Sequence, residues 1–383
     1  MRILYFSPIS GSSFMLQWPH YHMISELRSA GHEIRYINAE DKIGRLPNAA
    51  QGSQVILDEV KEMLKSNGCD MVFTAASDKN IEKSVIHEIK RLGIPSVLMH
   101  CDDLSVPFTI KNIANCFDLV WATSRENINL LKSYGARTIM MPYAANPNVF
   151  KPVSVAEENY IGFIGSVYGA RERHIGNITA GSLPIQVYGN KNQVEDHKSR
   201  LNNPLTRALK NINSMLPHTY QSLFFKTGRR IVASALKRSI VETFKRSKMR
   251  NHTDNTKSFP GPSFEEMGLY YSRMALSLGS IEYGSTYVLK QPVMCIHLRE
   301  FEAPMCGAVH LVNSHPELQE YFKKDKEMLF YDSEEELLDK IKYYLDPKRD
   351  SIRKKIREAA RRRSVQEHTW TKRFEKIWDT LSL

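Results

Sequence analysis

No run in the 383 residues approaches the roughly 18 consecutive apolar residues that a membrane-spanning helix needs. The N-terminus, MRILYFSPIS, passes directly into a strand-like pattern, with no apolar segment followed by a small-residue cleavage site. A cytoplasmic protein is therefore expected. Cysteine is scarce: Cys69, Cys101, Cys116, Cys295 and Cys306 make an odd set of five with no CxxC pair. Neither a zinc nor a disulfide framework follows, and buried reduced thiols are expected. Also missing are GxGxxG, P-loop, HExxH and GxSxG motifs, internal repeats and low-complexity tracts. These absences remove the sharpest short signatures of dinucleotide binding, P-loop phosphoryl transfer, zinc proteolysis and serine hydrolysis.

What is present is ordinary globular composition, 42% hydrophobic and 25% charged, in a chain too long for one core and about right for two. Over residues 1–150 short β-rich runs (RILYFSP, HEIRYIN, DMVFTAA, IPSVLMH, FDLVWATS, RTIMMPYA) alternate with helical stretches near 21–30, 55–66, 81–92 and 125–134. That alternation predicts βαβ units and a parallel sheet, with ligands beyond the carboxyl ends of the strands. After the junction NPNVFKP a second α/β pattern opens at NYIGFIGSVYGARERHI, continues through LPIQVYGN, breaks off near 191, and resumes near 262. The expected architecture is α/β: two Rossmann-like domains facing a cleft, with a basic helical insertion in the second. The first domain covers 1–150 and the second 151–365 with the insertion at about 191–262. A C-terminal helix, 366–383, is expected to brace the two lobes, with Trp370 in EHTWTKR as a packing anchor.

Charge is concentrated in the interruption. Residues 195–258 hold fourteen Lys/Arg against four Asp/Glu, a net +10 of the chain's +11. Within it Val232, Leu236, Ile240 and Phe244 recur four apart, an apolar stripe on a helix whose other faces carry Arg229, Arg230, Lys237, Arg238, Lys245 and Arg246. Such a helix suits an anionic membrane surface, where each cation contributes roughly 1 kcal/mol. Packing on its own domain with a solvated basic face is the alternative, and nucleic acid is not the expected partner.

Two places could carry chemistry in the second domain. The first is the strand–turn–helix FIGSVYGARERHI, where backbone N–H groups, the helix dipole and Arg171 and Arg173 would favour an anion; a surface Arg pair is the alternative. The second is HLREFEAPMCGAVHLVN, where Arg299 and Glu302 share a face if the segment is helical. Glu302 would sit at a helix start, favourable for a carboxylate, and could accept two hydroxyls of a ribose; an Arg299–Glu302 ion pair is the alternative. In the first domain His100, Asp102 and Asp103 follow a strand. His100 can bind a sugar or move a proton near neutral pH, and Asp102 or Asp103 could deprotonate an acceptor hydroxyl, unless the pair only caps a helix.

These stretches, with MPYAANPNVFKP, EMLFYDSEEELLDKIKYYL and IREAARRRSVQEHTWTKRFEKI, resemble CgeB-like glycosyltransferases over about 150–190 and 262–380. The resemblance implies a GT-B fold and a hexosyl- or related transferase whose nucleotide-sugar is held by the C-terminal domain. By position Glu302 matches the ribose-binding glutamate, and Arg171 falls where related retaining enzymes place a diphosphate-binding lysine. Two positions depart from the pattern: Ser166, not arginine, follows Gly165, and Met294 stands where relatives carry a second glutamate. Donor binding is thus expected at Gly165, Ser166, Arg171, Arg173, Arg299 and Glu302, with no metal and no cofactor beyond the nucleotide-sugar. The acceptor expected is a lipid-linked or cell-surface polysaccharide at the cytoplasmic membrane face, the enzyme being peripheral there. A nucleic-acid or protein acceptor, or a non-catalytic nucleotide-sugar-binding protein, are the competing readings.

Overall fold

The computed structural model describes residues 1–8, 13–44, 46–101, 104–189, 220–245 and 256–383. Asp102, Asp103 and Arg246 lie outside the described residues, as does most of the basic insertion. Two compact units form: Met1–Asn146 together with Thr369–Leu383, and Pro147–His368.

The first unit is built on β1 (Arg2–Ser7), β2 (Glu33–Asn38), β3 (Met71–Thr74), β4 (Ser96–His100), β5 (Leu119–Ala122) and β6 (Thr138–Met140), a six-stranded sheet in the order β2-β1-β3-β4-β5-β6. Every pairing is parallel. The central strands β3, β4 and β5 are buried at every position, which is why their sequences run apolar instead of alternating. The helices Ala49–Ser66 and Lys83–Arg91 cover one face through Ile56, Val60, Met63, Val85, Ile86 and Ile89. Asn48 starts the longer one with a capping box to Gln51. The helix expected near 21–30 begins instead as a π-turn, His20–Ile24, directly after Pro19, and is α-helical only over Ser25–Ser29.

The chain's last helix, Trp370–Leu381, belongs to this unit. Trp370 is fully buried against Trp18 and Trp121, and Phe374 lies on Phe73. Its start is held by Glu26, which accepts hydrogen bonds from the backbone N–H of Trp370 and Thr371 at 3.2 and 2.7 Å. Arg373 donates to the carbonyls of Pro142 and Tyr143.

The second unit repeats the architecture with β7 (Glu158–Ile164), β8 (Ile185–Gly189), β9 (Lys257–Pro260), β10 (Met274–Leu278), β11 (His310–Asn313) and β12 (Leu329–Tyr331), in the order β12-β11-β10-β7-β8-β9. Again all pairings are parallel. β9 falls inside the stretch read as an insertion up to 262; the sheet resumes at 257. Its four residues, KSFP, are all exposed, so this short edge strand has neither the apolar run nor the alternation that marks a strand in sequence. The strand order turns at β7, which lies between β10 and β8. The carboxyl ends of β7 and β10 therefore flank the switch point where ligands bind in open α/β sheets.

The five cysteines are all free thiols, three of them buried. Among the described residues no helix is long and apolar enough to cross a membrane.

Candidate active site

The switch point is made by the turn Gly165–Gly169 after β7 and the loop after β10. Gly165 has φ +135°, and a Cβ there would collide with Nη2 of Arg299. Gly169 has φ +60°, and a Cβ there would collide with the carbonyl of Gly284, which accepts a hydrogen bond from Ala170 N at 3.0 Å. Both glycines are thus required by left-handed backbone and by close approach of the two loops. From Gly169 the helix Ala170–Ala180 begins, its open N–H groups directed at the turn.

Two guanidinium groups are buried at this turn. Arg171, 7% exposed, donates to Ser166 O at 3.2 Å and lies over the Tyr168 ring. Arg299, 8% exposed, donates from Nε to Ile164 O at 2.6 Å and lies 4.5 Å from the Phe163 ring centre. Neither has a carboxylate at ion-pair distance among the described residues, and Nη1 of Arg299 has no hydrogen-bond partner. Burial first, then the charge of Arg299, lowers the Arg171 pKa to about 10. His297 is pushed to about 3 by burial, with both arginines adding to the shift against Glu300; it is neutral. The charge that partly compensates is Glu300, wholly buried, which accepts from His297 N at 2.8 Å and lies 3.8 Å from His310 Nε2. Burial opposes its ionisation, but His310, His297 and Arg299 hold its pKa below the usual carboxylate value.

The run REFE at 299–302 therefore divides its charges. Glu300 is a buried structural partner, Arg299 braces the glycine turn, and no ion pair joins Arg299 to Glu302. Glu302 is 7% exposed in the first turn of the helix Arg299–Met305, where its charge acts on Tyr271 and Cys306. Arg173 is placed differently from Arg171: its Nε and Nη2 both donate to Glu334, at 3.0 and 2.6 Å, and it stacks on Tyr287.

Sequence reasoning missed the neighbours of Arg173. His174, 1% exposed, is held between Glu334 (2.9 Å from Nδ1) and Glu282 (3.2 Å from Nε2). Burial opposes its charge, but the two carboxylates outweigh that and raise its pKa. Glu334 also accepts from Asn177 at 2.9 Å; against burial, His174, Asn177 and Arg173 bring its pKa down to about 2. Glu282 pairs across an isolated antiparallel bridge with Met294. No short motif links these residues; only the charged start of SEEELL hinted at one member.

In the first unit His100 ends β4, 7% exposed, with Nε2 lacking a hydrogen-bond partner. Burial lowers its pKa to about 4 against a raising backbone hydrogen bond, so it is a neutral imidazole at pH 7.

The helix Lys226–Lys245 uses its basic residues within its own unit. Arg230 donates to the carbonyls of Gln291 and Pro292, Lys237 to Val288 O at 2.7 Å, and Arg238 to Glu172 and Ser285. Arg229 donates to Leu223 O and stays exposed. Arg230, Lys237 and Arg238, expected on a membrane or acceptor face, thus also bond within the unit through their long stems, while Lys237 stays exposed. The Lys245 side chain lies outside the described residues. Of the apolar stripe Val232 is half-buried and Leu236 is 64% exposed; the side chains of Ile240 and Phe244 are outside the described residues.

A glycosyl transferase-like family matches residues 260–379. No curated protein matches the chain. Solved structures with a similar fold include the sucrose-phosphate synthase of Thermosynechococcus elongatus (TM-score 0.56, 12% identity, 99% of this chain and 98% of that one). The Anabaena protein Alr3699/HepE in complex with UDP aligns at TM-score 0.54 and 14% identity over 100% of both chains. An alpha-glucosyltransferase in complex with UDP and a 13-mer DNA containing a HMU base aligns at 0.56 and 14% over 100% of both. The chain thus has the two-sheet GT-B fold of these structures, and residues 260–379 match a glycosyl transferase-like family.

Proposed function

We propose that the chain transfers a hexosyl or related group from a nucleotide-sugar to a saccharide acceptor, with the donor's diphosphate seated on the Gly165 turn. The observation that carries this reading is the pair of buried guanidiniums, Arg171 and Arg299, without carboxylate partners at ion-pair distance among the described residues. Two like charges out of water are costly unless an anion completes the site, and Glu300 supplies only one negative charge. As the glycosidic bond breaks, charge grows on the departing diphosphate, and preorganised donors at that point stabilise it. Arg171, Arg299 and the backbone N–H groups of Arg171 and Glu172 in the first turn of the helix Ala170–Ala180 are such donors. Because they supply the positive charge, transfer is proposed to need no metal. Glu302, an acceptor-only carboxylate at a helix start, would take the ribose hydroxyls. In the first unit neutral His100, with its unpartnered Nε2, is proposed as the group that takes a proton from the acceptor.

The acceptor is proposed to be a lipid-linked or surface polysaccharide of the kind the CgeB-like resemblance suggests, met at the cytoplasmic membrane face. Support comes from the exposed Tyr220, Leu223, Phe224 and Leu236 beside exposed Lys226 and Arg229; apolar side chains flanked by cations suit an anionic lipid surface.

UDP in the names of two structural neighbours makes uridine nucleotides the first donors to try. The test is thermal denaturation and product release with UDP-, GDP-, CMP- and dTDP-sugars, with and without EDTA. A ligand at about 100 times its Kd adds roughly 2.7 kcal/mol. One nucleotide class should stabilise the protein, Glu302→Ala should abolish the effect, and EDTA should leave transfer intact. No stabilisation by any nucleotide would overturn the proposal.

A further inference from the structure

The helix Lys226–Lys245 lies outside residues 260–379, the stretch that matches the glycosyl transferase-like family, and it is fastened to the loop after β10. Arg230 and Lys237 are seven positions apart, about two turns, and so leave the helix in one direction. Arg230 donates to Gln291 O at 2.8 Å and Lys237 to Val288 O at 2.7 Å. Ser234, one turn from each, is buried. Arg238, beside Lys237, donates from Nη1 to Ser285 Oγ at 3.2 Å. Ser285 follows Gly284, whose carbonyl meets Ala170 N at the anion turn.

From Nη2 Arg238 also donates to Oε2 of Glu172 at 3.0 Å. Glu172 is the acidic residue in the first turn of the helix Ala170–Ala180, about 4.5 Å along the axis from Gly169. A carboxylate there draws on the same helix dipole and the same open N–H groups as a bound anion, and it repels that anion. The neighbouring arginines have other partners: Arg173 bonds Glu334, and Arg171 bonds Ser166 O. The cation that meets Glu172 comes from the inserted helix.

We infer that Arg238 is a positioning residue for the diphosphate seat. It takes up the charge of Glu172 and ties that side chain to the loop after β10, so the first turn of the helix Ala170–Ala180 meets an anion without a competing carboxylate. The inference rests on the proposal that the Gly165 turn holds the diphosphate. It gives the inserted helix a part in donor binding, through a residue that touches neither the nucleotide nor the reacting atoms. Arg238 and Glu172 are both half-buried, so their charges are partly screened, and the effect expected is moderate.

The test measures Kd for UDP, GDP and dTDP by calorimetry on the full chain, in wild type, Arg238→Ala, Glu172→Gln and the double variant Arg238→Ala/Glu172→Gln, with Tm reporting the fold of each. The nucleotide that binds wild type should bind Arg238→Ala about three- to fivefold more weakly, the size of one partly exposed charge interaction. The double variant should return to within about twofold of wild type, because the repelling carboxylate is gone together with its partner. A purely structural brace would not be restored in this way. The Arg238→Ala deficit should also shrink between about 0.1 and 1 M NaCl, as the Debye length falls from about 10 to about 3 Å. A double variant as weak as Arg238→Ala, a deficit indifferent to salt, or an Arg238→Ala protein with wild-type affinity overturns the inference and leaves the diphosphate site standing. If wild type binds none of the three nucleotides, the inference falls with the reading it rests on.

Discussion

Arg299 sits directly under Gly165: its Nε holds the carbonyl of Ile164 at 2.6 Å, and its guanidinium fills the space a Cβ on Gly165 would need. The left-handed turn and the buried cation are therefore one device. Neither can change without the other, and together they set the shape of the proposed diphosphate seat.

Gly165→Ala should disrupt that device. The φ of +135° is strained for any L side chain, and the Arg299 group that must move is buried and anchored. A loss of about 1–3 kcal/mol is expected, read as a lower Tm, together with loss of nucleotide binding. Retention of both Tm and binding would show that the turn adapts freely.

Arg171→Met should separate stability from function. The wild-type guanidinium is buried with no carboxylate at ion-pair distance among the described residues, its pKa pulled down to about 10. An apolar side chain of similar length relieves that cost, so Tm should hold or rise. Nucleoside diphosphate affinity should fall by about tenfold or more, the value of a charge-assisted contact. A falling Tm with unchanged affinity would make Arg171 a purely structural residue.

The His174 cluster should leave a mark on stability against pH. The two carboxylates raise the His174 pKa above the ordinary histidine value of about 6.5, so its contribution is full below that value and is lost as pH rises through the folded-state pKa. Glu334 is lowered from 4.5 to about 2, so its contribution is full above 4.5 and is lost as pH falls toward 2. The Tm gap between wild type and His174→Asn should be widest between about pH 4.5 and 6.5 and should narrow on the alkaline side. A gap independent of pH from 5 to 9 would mean the imidazole is not charged in the fold.

The helix Lys226–Lys245 makes two separable predictions. Arg238→Ala removes donors to Glu172 and Ser285 and should lower Tm by about 1 kcal/mol equivalent, with little effect on vesicle binding. Phe224→Ser with Leu236→Ser should leave Tm nearly unchanged, because both side chains are more than half exposed, and should abolish cosedimentation with vesicles containing phosphatidylglycerol. Unchanged cosedimentation would remove the membrane reading of this face.

Much of the fold was readable because its signals are local. Strands buried on both faces, such as MVFT and LVWA, must be apolar throughout, and the helices between them carry their stripes at helical spacing. The Gly165 turn was equally readable, since a strand, a small-residue turn and a helix start are consecutive in sequence. Glu302 was reached from its place at the charged helix start in LREFE and again through the family resemblance. β9 was not readable, because four exposed residues at a sheet edge obey no burial pattern.

The sequence by itself determined the parallel α/β rhythm, the two units and the residues at each strand's carboxyl end, because these follow from periodicity and turn chemistry within a few residues. Only the tertiary structure decided what those residues do. It paired Arg299 with a backbone carbonyl in place of Glu302, drew Arg173 to Glu334 across 161 positions, and enclosed His174 between Glu282 of a loop and Glu334 at a helix start. It also bonded Arg230 and Lys237 of the basic helix to loop carbonyls and Arg238 to Glu172. Each outcome depends on which side chain reaches a buried polar group first in three dimensions, and chain spacing carries no record of that distance.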